Sequence, residues 1–133
     1  MSDNIDPIVA YLIIRESLNM SPGKIAAQCS HGMKNLMLHY FKAQIVTAKF
    51  HDIPNNDTQY IKITSEWLAK NSRTVVLRAS DSEWDKIKIV YPGAIVVKDL
   101  GLTEVQPYSE TCLALWPQLK SSRDKVIKRL QVL

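Results

Sequence analysis

Six polar side chains recur at three- and four-residue intervals: Lys24, Gln28, His31, Asn35, His39 and Lys42. On a helix turning roughly 100° per residue they fall within about 80° of one another. Ser21 and Pro22 immediately before them suit an N-cap and a first helical position. Lys24 therefore belongs to the first turn, where backbone N–H groups are unpaired and the helix dipole is positive. An ammonium there suits an anion or a developing oxyanion. The same stripe also describes a solvated face of an amphipathic helix. A second polar group, Asp99-Leu100-Gly101-Leu102-Thr103, follows an apolar run of strand length. Ligands of open α/β sheets gather beyond the carboxyl ends of strands. If the two segments lie side by side, Lys24 and Gln28 face Asp99 and Thr103. A lone Asp after a strand also serves as a turn former, and Lys24 opposite Asp99 also makes a simple salt bridge. A serine–histidine nucleophile is less attractive, because Ser30 and His31 are adjacent and point roughly 100° apart on a helix. His31, His39 and His51 accompany no Cys or carboxylate at metal-ligand spacing, so no metal site is expected.

The elements that must position these groups alternate. Residues 7–14 form a continuous apolar run, as for a central buried strand. The first helix is expected from about residue 22 to Lys49, weakened slightly by Gly23 and Gly32. Residues 51–56 read as a loop and residues 57–71 as a second helix. Residues 74–78 read as a strand, and Asp81 as the cap of a third helix reaching Val90. Two further strands are expected at residues 94–98 and 111–115, with no helix between them. A last helix is expected from Ser121 or Ser122 to Gln131. Strands separated by helices imply an α/β layered domain with a largely parallel, partly mixed sheet.

Composition bounds the possibilities. The chain has 133 residues, 46% apolar and 23% charged, which is one ordinary globular domain, residues 1–133. No apolar stretch nears the roughly 18 residues of a membrane helix. The acidic start lacks a basic n-region, so a signal peptide is not expected and a cytoplasmic location is. Cys29 and Cys112 are far apart and read as reduced, partly buried thiols. The net charge is +4; residues 1–23, with Asp3, Asp6 and Glu16 against Arg15, carry −2, and the remainder carries +6. Lys125, Lys128 and Arg129 crowd the last helix beside Lys120 and Arg123, and Lys34 and Lys42 add charge to the first helix. These residues suit the phosphates of a nucleic acid and equally a solubilising face.

The run Met20-Ser21-Pro22-Gly23-Lys24-Ile25-Ala26-Ala27-Gln28-Cys29-Ser30-His31 resembles the signature of the type 2 peptidyl-tRNA hydrolases. So does Asp99-Leu100-Gly101-Leu102-Thr103, followed by Pro107 and by Thr111 before an apolar strand. The resemblance spans nearly the whole chain in element order. It implies a three-layer α/β/α sandwich with a four-stranded mixed sheet, and usually a homodimer. It also implies cleavage of the ester joining a peptide to its tRNA, without a metal or organic cofactor. It carries over Lys24, Gln28, Asp99, Thr103 and Thr111 as site residues. In that reading Asp99 orients water, Thr103 and Thr111 hold it, Lys24 stabilises the oxyanion or neutralises Asp99, and Gln28 holds the substrate. His31 belongs to the motif but is not assigned the general-base role. Lys34, Lys42, Lys125, Lys128 and Arg129 are the expected tRNA contacts. The chain departs from the family pattern at Leu100, Leu102, Tyr108 and Trp116. Tyr108 and Trp116 stand where the family has glycine, which suggests a reshaped cleft rim. The altered glycines leave open a catalytically weak adaptor that keeps the fold for RNA or protein binding, and an esterase for another acylated nucleotide is a third reading.

Overall fold

The computed structural model describes residues 5–49, 56–101 and 104–133; the expected loop at 51–56 falls almost entirely outside them. The strands are β1 (Ile8–Arg15), β2 (Thr74–Ala79), β3 (Ile95–Lys98), β4 (Glu110–Ala114), β5 (Gln118–Leu119) and β6 (Gln131–Val132). The helices are α1 (Pro22–Lys49), α2 (Ile61–Ala69), α3 (Asp81–Val90) and α4 (Lys125–Arg129). They form a mixed α/β fold around one sheet ordered β3-β4-β1-β2-β6, with β5 paired to β1.

β1 is apolar from Ile8 to Ile14 because both its faces are covered. Val9, Tyr11 and Ile13 join a cluster with Trp84 and Ile87 of α3 and Val126 and Ile127 of α4. Leu12 and Ile14 join Leu36 and Tyr40 of α1, and Ile8 and Ala10 pack with Trp67 of α2. The period of two along a strand sends alternate side chains to opposite faces, so a strand with helices on both sides shows no polar alternation. Gly32 lets α1 lie close to the sheet: a Cβ there would stand 3.2 Å from Cys112 Sγ and 3.4 Å from Leu12 Cδ2. The two thiols are free, Cys112 buried and Cys29 partly so.

The expected four strands are six among the described residues. The two additional ones are two-residue pairings, β5 on β1 and β6 on β2, too short to carry a periodic pattern. The sheet is also less parallel than expected. Among the described strands only β1 and β2 pair in parallel; β4 runs antiparallel between β1 and β3. Since β4 opposes both neighbours, β1, β2 and β3 still point the same way. Their carboxyl ends share one edge of the sheet, and α1 begins at that edge.

Several boundaries shift for local reasons. Ser80, not Asp81, caps α3: its hydroxyl accepts from Glu83 N–H, and the Glu83 carboxylate accepts from Ser80 N–H. Such a capping box is worth about 1 kcal/mol. The second helix is the shorter α2, preceded by a 3₁₀ turn at Thr58–Tyr60 and followed by Ser72 at φ 49°. The last helix starts later than Ser121. Ser121 N–H and hydroxyl donate to Asp6 within a 3₁₀ turn, and Asp124 caps α4 by accepting from Val126 N–H at 2.9 Å. Lys120 and Arg123 therefore lie off the helix. No helix among the described residues is long and apolar enough to cross a membrane.

Candidate active site

Two loops meet at the shared strand edge. One follows β1 and enters α1; the other follows β3. Ser21 N–H and hydroxyl donate to the Glu104 carboxylate at 2.8 and 2.5 Å, while the Ser21 hydroxyl accepts from Lys24 N–H at 3.3 Å. Glu104 thus ties the second loop to the start of α1. No sequence pattern points to that tie, because its partners are 83 residues apart.

Inside the tie, Asp99 is the hub. Lys24 Nζ donates to Asp99 Oδ1 at 2.8 Å, and Gln28 Nε2 donates to the same oxygen at 3.3 Å. Gly101 N–H donates to Oδ2 at 2.7 Å. A carboxylate offers about four acceptor positions. These donors take three, and the position left, on Oδ2, is filled by no described residue. The side chains of Lys24 and Asp99 are only 10% and 11% exposed, so the pair is largely shielded from solvent. The Lys24 ammonium, helped by Gly101 N–H and Gln28, holds the Asp99 carboxyl below its ordinary range, although partial burial works against this.

Gln28 is not on a solvated face. It is 2% exposed, and Thr111, fully buried on β4, donates its hydroxyl to Gln28 Oε1 at 2.5 Å. The acceptor-only carboxylate fixes which end of the amide meets it: Nε2 must face Asp99, so Oε1 faces Thr111 and the hydroxyl donates. Thr111, expected to hold a water, is fully buried here, and its one hydroxyl proton is donated to Gln28 Oε1, with Val97 O 3.4 Å away. Thr103 and Leu102 lie outside the described residues.

The cluster opens into a cleft of about 420 Å³ lined by Lys24, Gln28, His31, Lys34, Asn35, Lys98, Asp99 and Leu100 among others. The first four residues of the polar stripe, Lys24, Gln28, His31 and Asn35, line this cleft. His39 does not; its Nδ1 pairs with Asp57 at 2.7 Å farther along α1. Of the expected tRNA contacts, only Lys34 lines the cleft. Lys42 is exposed farther along α1, and Lys125, Lys128 and Arg129 are exposed on α4, which packs on the other face of the sheet. Trp116 is also remote. It is buried, stacked on Tyr60 at 4.6 Å, and donates its indole N–H to Gly93 O at 3.1 Å, near the start of β3. It does not shape the rim. Tyr108 does belong to the second loop: its φ is 64°, and its N–H donates to Asp99 O at 2.5 Å.

Gly101 is a position that sequence motif and structure both single out. Its φ is 75°, and a Cβ there would stand 2.4 Å from Pro107 N. Gly101→Ala must therefore move backbone, and the first hydrogen bond to break is the one its N–H donates to Asp99. Strain from φ alone is about 1–2 kcal/mol. The expected outcome is a fall in turnover by a factor of about ten or more, with a lowered Tm; wild-type turnover would show that this N–H is dispensable.

The family description "Peptidyl-tRNA hydrolase PTH2" matches residues 8–133. A peptidyl-tRNA hydrolase of Methanopyrus kandleri is 29% identical over 127 residues, covering 92% of this chain and 95% of that protein. One from Thermococcus onnurineus is 31% identical over 123 residues, covering 91% and 93%. Peptidyl-tRNA hydrolase 2 of Saccharomyces cerevisiae is 29% identical over 126 residues, covering 91% of this chain and 56% of that protein.

Proposed function

The chain belongs to the peptidyl-tRNA hydrolase PTH2 family, and on that premise we propose that the cluster around Asp99 hydrolyses the ester bond of peptidyl-tRNA. The carrying observation is the convergence of Lys24, Gln28 and Gly101 on the Asp99 carboxylate, with one acceptor position on Oδ2 that no described residue fills and an ammonium beside it that has spare donors. Water donates a hydrogen bond to that position and attacks the acyl carbon. Its proton passes by way of Asp99 to the departing ribose oxygen. The products are a tRNA with a free 3′ hydroxyl and a peptide carboxylic acid, which ionises to the carboxylate by releasing its proton to solvent.

A carboxylate held below its ordinary pKa is a weak base. The rate must come chiefly from placing the water and from stabilising charge. Lys24 has three donors and spends one on Asp99, leaving two for the oxyanion. Gln28 and Gly101 hold the carboxylate's orientation, and Thr111 holds Gln28. Thr103 remains a proposed water ligand by the family motif. The adaptor alternative loses its motive, because the altered positions leave this set of donors and acceptors complete.

The domain spans residues 1–133 as a layered α/β/α sandwich. Lys34 lies where the tRNA 3′ end must enter, and Lys42, Lys125, Lys128 and Arg129 would meet phosphates farther away. Replacing Lys125, Lys128 and Arg129 with Gln is expected to lower the salt slope of tRNA binding by somewhat under one unit for each phosphate no longer neutralised, while leaving cleavage of a minimal 3′-end ester unchanged. An unchanged slope would make that helix a solvated face. Leu38, Phe41 and Ile45, exposed along one side of α1, support a homodimer; the cytoplasm is the location proposed from the sequence. The activity itself is tested by incubating purified protein with N-acetylaminoacyl-tRNA in EDTA. Release of deacylated tRNA above the spontaneous rate is expected; no release with intact, folded tRNA would overturn the reading.

A further inference from the structure

Residues 106–109 form a tight turn, closed by Ser109 N–H on Gln106 O at 3.2 Å. Pro107 occupies its second position and Tyr108, at φ 64°, its third. That is the type II pattern, in which the third position favours glycine because a side chain is disfavoured at positive φ. Tyrosine is a poor choice for the turn itself, and the fold does not compensate. Tyr108 is 72% exposed, and neither its ring nor its hydroxyl has a partner among the described residues. Its backbone is nonetheless tied to residue 99, since Tyr108 N–H donates to the main-chain carbonyl of Asp99. On the other side of Asp99, Leu100 is 65% exposed and lines the cleft. Two large apolar side chains are thus held open to solvent on the two stretches that this backbone bond joins, Leu100 at the cleft and Tyr108 on the neighbouring turn.

We propose that Tyr108, with Leu100, is a stacking platform for the terminal nucleobase of the substrate's acceptor end. The inference rests on the hydrolase reading above. The scissile ester is carried on the ribose of that nucleoside, so its base lies one sugar away from the carbonyl that meets Asp99. A flat aromatic ring beside a carboxylate site fits a flat base, whatever peptide is attached. Stacking of one base on an aromatic side chain changes affinity by about five- to hundred-fold. The base is gripped equally before and during the reaction, so the effect belongs in KM rather than kcat.

The turn geometry makes the test clean, because glycine and asparagine are better suited than tyrosine to positive φ. The probes are the N-acetylaminoacyl esters of adenosine 5′-phosphate and of abasic ribose 5′-phosphate. For the wild-type chain, KM is expected to be about ten-fold or more lower for the adenosine ester. Tyr108→Gly and Tyr108→Asn are expected to abolish that preference while Tm stays equal or rises; Tyr108→Phe is expected to keep it. An unaltered preference in the Gly and Asn variants would overturn the proposal. So would a changed preference between N-acetylphenylalanyl and N-acetylalanyl esters with base preference intact, which would assign the ring to the peptide. If the wild-type chain cleaves neither ester nor N-acetylaminoacyl-tRNA, the hydrolase reading fails first and the platform with it.

Discussion

Asp99→Asn is expected to lower kcat by a factor of about 10²–10⁴, the usual worth of a positioned acid–base group. The substitution preserves shape and removes the charge, but its effect on the site is not subtle. The carboxylate accepts from Lys24, Gln28 and Gly101. An amide has one acceptor oxygen and one donor nitrogen, so the substituted side chain must turn N–H groups toward existing donors on one of its sides. Either Gly101 N–H or the Lys24–Gln28 pair is left without its acceptor, and the position that aims water changes character. Binding of deacylated tRNA should change little, because the phosphate contacts proposed above lie elsewhere. Wild-type turnover in Asp99→Asn would remove Asp99 from the mechanism.

Lys24→Ala is expected to slow turnover by about 10²–10³, the cost of deleting one donor to a developing oxyanion. It should also move the pH profile. Lys24 is the largest cause of the low Asp99 pKa, and burial opposes it. Asp99 must be ionised to accept from water. In the wild-type chain the acid limb of kcat/KM therefore lies below the ordinary Asp value of about 3.9. Without Lys24 the largest lowering cause is gone, Gly101 N–H and Gln28 still lower and burial still raises, so the limb moves to higher pH. The linked stability follows the same sign: the depressed pKa stabilises the fold above the unfolded value, and this is lost as pH falls through the folded one. A kcat/KM profile of Lys24→Ala that loses rate without moving its acid limb would limit Lys24 to the oxyanion.

What sequence alone made legible was whatever depends on local pattern. The Ser21-Pro22 start of α1 lies where cap chemistry puts it, and the helix is continuous to Lys49, the last residue described there. The meeting of Lys24 and Gln28 with Asp99 followed from one rule about strand ends. It held although β1 and β3 are separated by an antiparallel strand, because that strand leaves both pointing the same way. Features joined across the chain stayed hidden. Thr111 entered through family likeness alone, and nothing local shows that its hydroxyl is used up on Gln28. The Glu104–Ser21 tie and the pairings of β5 and β6 involve too few residues to leave a pattern. Trp116 stands where the family has glycine, as Tyr108 does, yet only Tyr108 is at positive φ and beside the site.

The claim that Lys24 and Asp99 work as one unit is open to a single decisive measurement: the single-turnover rate of N-acetylaminoacyl-tRNA cleavage by the Lys24→Ala, Asp99→Asn double variant, set beside both single variants. Groups that act together are non-additive, because the first loss already disables the second group. The expected rate is about that of the slower single variant. A rate reduced by the product of the two separate losses would mean that the two side chains act independently, and the paired carboxylate and ammonium would not be the catalytic unit.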